Sequence, residues 1–364
     1  MMAADTNSTS LNRALAGKRT LVIGGGGFLG SSLVERLIES DAVVGALARR
    51  RGKLAGIHDG ARCAFLACDL RQPEQTRRAV AAFAPQIVFH LAARPDARED
   101  FNQARDAIET NLIGTLNALE AFRLCGGELF IYGDSVKVYG DSDAPYRSAM
   151  PLRPLSSYAI ARAAGWQLCE LYRRIHDLAV VSVRPTLIYG PRQGHNLISF
   201  VVDSTLARSG EIRLDGGDQT RDPLFIDDAI EAFLAVAARG AQLAGSVVNI
   251  GGGEERTVAE ITRLIVELMG GDTPVVINQQ RRRPTETQRS FCDNVEAAAW
   301  LGWRPRTDLR AGLRKTITYL LRQRAEESHP SGHTACHTAH HTDGRAALDI
   351  FSLGEGNAAR TKVS

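Results

Sequence analysis

The chain has 364 residues, of which 44% are hydrophobic, and this is enough for a full-sized core in one large domain or two fused ones. Its 44 Lys and Arg against 41 Asp and Glu give a net charge of +3, far below the basic excess that dedicated nucleic-acid binders carry. The N-terminus has no apolar signal region and no later run reaches the roughly 18 apolar residues of a membrane span, so we expect a cytoplasmic protein.

Short apolar, β-branched runs alternate with helical patterns in the first half, which is typical of a doubly wound parallel sheet. Strands are predicted at 19–24, 43–48, 64–67, 87–91, 129–132 and 180–183. Helices are predicted at 28–40, 75–83, 104–125 and 158–176, between or after these strands. The order fits right-handed crossovers, so the expected fold class is α/β with a Rossmann-type sheet in residues 18–190.

Regularity weakens after Pro191, where helices are predicted at 227–238, 258–269 and 309–322 between segments rich in Pro and Gly. This pattern indicates a smaller second lobe over 191–324, with some segments returning to the first domain. We expect a flexible N-terminus at 1–17 and a disordered, His-rich tail at 325–364. The six cysteines form no CxxC pair, so we predict no disulfide framework and no metal site, although His333, Cys336 and His337 leave metal binding by the tail as an alternative.

The run GGGGFLG at 24–30 lies between the first predicted strand and the first predicted helix. Glycines without side chains let backbone N–H groups approach a pyrophosphate at the positive end of the helix. This context favours dinucleotide binding over a plain flexible turn. The predicted contacts are Gly24, Gly27, Phe28, Leu29 and Gly30.

A cationic cluster of Arg49, Arg50 and Arg51 follows the second predicted strand, where dinucleotide-binding folds usually place an acid against the adenosine ribose. An acid would repel a 2′-phosphate, whereas guanidinium groups bind it. The cluster therefore favours NADP(H) over NAD(H). A solvated basic loop is the alternative interpretation.

Further motifs occur in order along the chain: HLAA at 90–93, NLIGT at 111–115, SVKVYG at 135–140, YAIAR at 158–162, RPTLIYGP at 184–191, RDPLFIDD at 221–228, NIG at 249–251 and LGWRP at 301–305. With the glycine turn, they make the chain resemble the extended short-chain dehydrogenase/reductases, specifically the nucleotide-sugar epimerase/dehydratase group, over about residues 18–323. The resemblance implies NAD(P) as cofactor, a nucleoside-diphosphate sugar as substrate under the C-terminal lobe, and a homodimer.

The resemblance implies that Tyr158 is the base that removes a sugar hydroxyl proton, and that Ser135 hydrogen-bonds the reacting oxygen. The reference pKa of a phenol is about 10, so the phenolate needs a nearby cation if it is to form at neutral pH. Arg162 lies four residues after Tyr158 and therefore on the same helix face, but the family has lysine there. Guanidinium is larger and planar and does not deprotonate, so we expect a working but slower site.

Other positions match family residues that contact ligands. Arg221, Arg283 and Glu286 correspond to substrate contacts, with ordinary surface charge as the alternative, and Asp69 corresponds to an acid beside the adenine, with a turn or cap role as the alternative. The remaining cofactor positions that the resemblance implies are Leu70, Leu91, Ala92, Ala93 and Asn111.

The residues after Ser135 limit which of the family's reactions we expect this chain to catalyse. Family 4,6-dehydratases have acidic side chains there, whereas this chain has Val136 and Lys137, which cannot perform an elimination. Leu187 also stands where the family often has Asn. We predict an NAD(P)-dependent nucleotide-sugar epimerase acting through a 4-keto intermediate. An NADPH-dependent 4-ketoreductase and a catalytically silent nucleotide-binding protein are the alternatives, and the sugar and its nucleotide are left open.

Overall fold

A parallel sheet of seven strands forms the centre of the protein. The computed structural model describes residue 11 and residues 13–55, 63–95, 99–278 and 285–328. The first elements in chain order are β1 (Arg19–Ile23), α1 (Phe28–Glu39), β2 (Val43–Ala48), β3 (Cys63–Ala67), α2 (Pro73–Phe83), β4 (Ile87–His90), α3 (Phe101–Ile108), α4 (Gly114–Leu124), β5 (Leu129–Gly133), α5 (Ser157–His176) and β6 (Val180–Pro185). Short helical turns cover Gly52–Leu54, Glu109–Ile113 and Val136–Tyr139.

The second half supplies smaller elements. They are β7 (Leu187–Tyr189), α6 (Leu197–Leu206), β8 (Ile212–Asp215), β9 (Thr220–Arg221), β10 (Pro223–Phe225), α7 (Ile226–Arg239), β11 (Val247–Ile250), β12 (Arg256–Thr257), α8 (Val258–Leu268), β13 (Val275–Asn278), α9 (Val295–Leu301) and α10 (Leu309–Ser328). A 3₁₀ turn at Gly240–Leu243 follows α7. Strands β7 and β10, β8 and β13, and β9 and β12 form three two-stranded sheets.

The order of the large sheet is β3-β2-β1-β4-β5-β6-β11, and every pairing in it is parallel. The predicted α/β fold with a Rossmann-type sheet is confirmed. Strand order reverses between β1 and β4, so a crevice opens at their carboxyl ends, where doubly wound sheets bind ligands. The last strand, β11, comes from the second half of the chain and pairs with β6.

Helices cover both faces of the large sheet, so its strands read as continuous apolar runs. On one face, Val22 and Phe89 pack with Leu33 of α1 and Phe233 of α7. On the other face, side chains of alternate register pack against α4 and α5, among them Ile23, Val88, Phe122 and Trp166. Side chains in a strand alternate in direction, which is why neighbouring residues of β1 belong to different cores.

Most predicted elements lie within two residues of the observed ones, but three predictions are wrong. Within the N-terminus predicted to be flexible over 1–17, Leu15 is fully buried in the same core as Leu33 of α1. The single helix predicted over 104–125 is interrupted by a π turn at Glu109–Ile113. The boundary predicted at 325 is wrong, because α10 continues through Ser328 and Arg324 pairs with Asp203 of α6 at 2.9 Å. The His-rich residues themselves lie outside the described residues. No helix in the described ranges is long and apolar enough to cross a membrane.

Candidate active site

The glycine turn lies at the carboxyl end of β1, beside the carboxyl end of β4. Gly24 has a φ of +92°, and a Cβ there would lie 2.6 Å from the Ala92 nitrogen. A Cβ on Gly30 would lie 2.2 Å from the Gly24 oxygen, so α1 packs directly on the turn. Helix α1 starts at Phe28 with no side-chain cap, which leaves its first N–H groups for an anionic ligand. These features fit the pyrophosphate of a dinucleotide.

A cavity of about 710 Å³ adjoins the glycine turn at the ends of β2 and β3. Arg49, Arg50 and Asp69 line it together with Arg71, which the sequence analysis did not single out. Arg71 contacts Asp69 at 2.6 Å, and hydrogen bonding to this guanidinium lowers the pKa of the Asp69 carboxyl. The neighbouring Leu70 is buried, and its carbonyl accepts a hydrogen bond from Asn117 at 2.7 Å. The cavity thus has a cationic rim with one neutralised acid.

The segment after β4 is tied to the π turn by Asn111. The buried Asn111 side chain accepts from the Arg94 nitrogen at 2.8 Å and donates to the Arg94 oxygen at 3.3 Å. These two hydrogen bonds hold the backbone directly after Leu91, Ala92 and Ala93. The Leu91 nitrogen donates to the Ile23 oxygen at 2.8 Å. Asn111 therefore fixes the backbone opposite the glycine turn.

Tyr158 lies in the first turn of α5, whose N-cap is Ser156. The Ser156 side chain accepts from the Ala159 nitrogen at 3.1 Å. The positive end of a helix favours an anion placed there, and a phenolate is such an anion. Tyr158 therefore lies at the positive end of the α5 dipole.

Arg162 is buried between two tyrosine rings. Its guanidinium carbon lies 5.7 Å from the Tyr158 ring centroid and 5.4 Å from that of Tyr132. Nη2 donates to the Ala92 oxygen at 3.1 Å, whereas Nε and Nη1 have no hydrogen-bond partner among the described residues. These unsatisfied donors and the glycine cradle fit a dinucleotide, whose ribose hydroxyls are acceptors.

Buried groups behind Arg162 hold it in place. The Tyr132 hydroxyl donates to the Arg162 oxygen at 3.0 Å, and Gly165 makes room for it, since a Cβ there would lie 2.3 Å from that hydroxyl. His90 Nε2 is 2.8 Å from the Thr115 hydroxyl. Burial, together with the charge of Arg162, lowers the pKa of His90 to about 3, so the imidazole stays neutral beneath the guanidinium.

Ser135 follows β5 and is held by a buried polar network. Asp134 accepts from the Ser135 nitrogen at 2.9 Å and pairs with Arg184 of β6 at 2.6 Å. Arg184 also donates to the Tyr139 hydroxyl at 2.9 Å, and that hydroxyl donates to Asn249 of β11 at 2.9 Å. Two strands, β6 and β11, therefore help to fix the backbone that carries Ser135. The spacing of these residues along the sequence gives no indication of this network.

Lys137 lies in the turn Val136–Tyr139, and its ammonium is 5.9 Å from the centroid of the Tyr158 ring. From the sequence alone, this lysine is only the replacement of an acid. The sequence does have a lysine at 137 and none at 162, but the connection between the two positions depends on the packing of this turn on α5.

Two of the three residues predicted to contact substrate contact each other in the structure. Arg221 and Glu286 form an ion pair with each other, and Arg221 Nη1 donates to the carbonyls of Thr220 at 2.6 Å and Thr287 at 3.1 Å. Arg283 lies outside the described residues. Leu187, at the start of β7, is exposed.

The comparisons with known proteins agree with one another. The model of the NAD dependent epimerase/dehydratase family matches residues 20–251. A UDP-glucose 4-epimerase of Mycolicibacterium smegmatis is 32% identical over 312 residues, covering 83% of this chain and 98% of the relative. A dTDP-glucose 4,6-dehydratase of Neisseria gonorrhoeae is 30% identical over 333 residues, covering 84% of this chain and 96% of the relative.

Solved structures of similar proteins share the fold. The UDP-glucose 4-epimerase of Thermotoga maritima, crystallised with UDP-glucose, is 28% identical with a TM-score of 0.77, over 84% of this chain and 99% of that one. The UDP-glucose 4-epimerase of Thermus thermophilus, in complex with NAD, is 29% identical with a TM-score of 0.75, over 83% and 99%.

Proposed function

The chain belongs to the NAD-dependent epimerase/dehydratase family, and we propose that it is a nucleotide-sugar 4-epimerase with Tyr158 as its base. The observation that carries the proposal is the position of Tyr158 at the N-terminus of α5, with Arg162 and Lys137 both within about 6 Å of its ring. A tyrosine that acts as a base must be stabilised as the phenolate, and these two cations are placed to stabilise it.

Bound NAD would supply the acceptor and donor of hydride at the sugar carbon. Tyr158 takes the proton of the C4 hydroxyl and later returns it, while the Ser135 hydroxyl orients the reacting oxygen. Arg162 keeps the phenolate charged and holds a ribose hydroxyl with its unsatisfied donors. The network through Asp134 and Arg184 holds the backbone of Ser135 in place for this role.

Epimerisation is favoured over 4,6-dehydration because the turn after Ser135 offers no acid. Val136 is buried and Lys137 is a cation, so neither can exchange protons with C5 as an elimination requires. A 4-ketoreductase that consumes NADPH and a silent binding protein are the competing proposals.

Incubation of the purified protein with UDP-, GDP- and dTDP-sugars and both cofactors tests the proposal. We expect one 4-epimer to form with only catalytic amounts of cofactor, and Tyr158→Phe to abolish it. Stoichiometric cofactor consumption would favour the reductase. Unchanged sugars in the presence of bound cofactor would favour the silent binding protein.

We also propose a preference for NADP(H), supported by Arg49 and Arg50 on the rim of the cavity and by the absence of an acid at the end of β2. Fluorescence titration should show tighter binding of NADPH than of NADH. Replacing both arginines by alanine should remove about tenfold or more of that difference, whereas the exposed Arg208→Ala should not change it. Equal or tighter binding of NADH by the wild type would overturn this preference.

A further inference from the structure

Two cations approach the Tyr158 ring from different elements. Arg162 comes from one turn further along α5 and is buried, with its guanidinium carbon 5.7 Å from the ring centroid. Lys137 comes from the turn Val136–Tyr139 after β5 and is exposed, with its ammonium 5.9 Å from the same centroid. The turn packs against α5, which places Lys137 next to the tyrosine.

Other charged groups near α5 are mostly paired. Glu99 accepts from the Ser157 nitrogen at 3.1 Å and places one negative charge at the start of the helix. On α3 and the π turn, Asp106 pairs with Arg94 at 3.5 Å and Glu109 pairs with Arg105 at 2.7 Å. Glu120 of α4 pairs with Arg123 and contacts Tyr172, further along α5. His90, behind Arg162, is neutral. Among the described residues, the cations whose charges lie within 5.9 Å of the Tyr158 ring centroid are Lys137 and Arg162.

We propose that Lys137 supplies the compact ammonium that α5 lacks, and that it stabilises the Tyr158 phenolate from the solvent side while Arg162 does so from the buried side. This inference rests on the proposed function, because it concerns the same base. Lys137 acts through Tyr158 by stabilising the phenolate charge. It is therefore a positioning residue and not a catalytic one.

The expected size of the effect follows from the distance. In partly solvated surroundings, a unit charge about 6 Å away changes the pKa of a neighbouring group by about 1. Removing the positive charge destabilises the phenolate, so the tyrosine ionises at a higher pH. The shift falls at high salt, because an exposed ammonium is screened.

Ultraviolet absorbance of phenolate measures this directly on the full chain, without substrate. The titration of Tyr158 is the difference between each variant and the same variant carrying Tyr158→Phe. We expect Lys137→Met to raise the midpoint by about one pH unit and Lys137→Arg to restore it. Lys315→Met is the matched control, since that ammonium lies 5.0 Å from the Phe225 ring and should leave the midpoint unchanged. An unchanged midpoint in Lys137→Met overturns the inference.

The pH dependence of turnover gives a second readout. The rate rises with pH as the phenolate forms, so Lys137→Met should move this rise upward by about one unit and slow turnover near neutral pH about tenfold, with the rate at high pH retained. A raised KM with an unmoved profile would mean that Lys137 binds substrate instead, and would overturn the inference. A shifted spectroscopic midpoint without turnover of any sugar would sustain the inference and reject the proposed epimerase.

Discussion

Arg162 stands where the resemblance to the family predicts a lysine, and its surroundings show how a guanidinium is accommodated. It is stacked between Tyr132 and Tyr158 and bonded to the Ala92 oxygen, so its orientation is fixed. A planar head in this position occupies more space than an ammonium, beside the place where the resemblance puts the nicotinamide ribose. We therefore expect a slower reaction because the cofactor is displaced, and not because a positive charge is lost.

Replacing Arg162 by lysine tests this explanation. The shorter, compact head should let the cofactor move closer, and turnover of the nucleotide sugar should rise by up to about 100-fold, because a misplacement of about 1 Å has that cost. Arg162→Met should instead lose activity, since it removes the buried charge. Unchanged or slower turnover of the lysine variant would contradict the view that Arg162 limits the reaction.

Sequence spacing predicted part of this site. The four-residue interval places Tyr158 and Arg162 on one helix face, as the structure has them. Tyr132 and Lys137 were missed as neighbours of these residues, because their contacts join a strand and a turn to α5 through space. Arg221 and Glu286 were predicted as separate ligand contacts, yet each is the other's partner, a pairing that no periodicity encodes.

At the scale of elements, the π turn between α3 and α4 is the feature that the apolar pattern could not predict. A π turn adds one residue to a helical turn, and such bulges are frequent at functional sites. Here it carries Asn111 to the backbone of Arg94, behind the segment that faces the glycine turn. The strands were easier to predict, because fully buried parallel strands have continuous apolar runs.

Asn111→Ala should weaken both folding and cofactor binding. It leaves the Arg94 backbone without two hydrogen bonds, which we expect to lower the free energy of unfolding by about 2 kcal/mol and to reduce NAD(P) affinity severalfold. Asn196→Ala is a matched control, because it removes the cap of α6 at a cost of about 1 kcal/mol and lies outside the site. Equal cofactor affinity in both variants would show that Asn111 is purely structural.

For the whole molecule, the family resemblance implies a homodimer, and two neighbouring helical regions carry exposed apolar side chains that a partner subunit would cover. Helix α5 packs beside α3, the π turn and α4. The exposed apolar residues on these elements are Phe101, Ile113, Leu124, Ile160, Leu171 and Ile175. We therefore propose this surface as the dimer interface.

Sedimentation measurements test this assembly. The wild type should sediment as a dimer, and Leu171→Asp combined with Ile175→Asp should give a folded monomer, because buried carboxylates oppose association. Leu206→Asp changes an equally exposed leucine on α6 and should leave the dimer intact. A monomeric wild type, or a dimeric double variant, would contradict the proposed interface.

The pairing of β11 with β6 has a consequence for synthesis of the chain. Residues Val247–Ile250 complete a sheet whose other six strands all end before residue 186. Until they emerge from the ribosome, β6 has an open, apolar edge, and such edges invite pairing with other chains. A fragment that stops after β6 thus lacks the closing strand of its own nucleotide-binding sheet. Truncation there is expected to yield aggregates, and we expect the two halves of this protein to fold together.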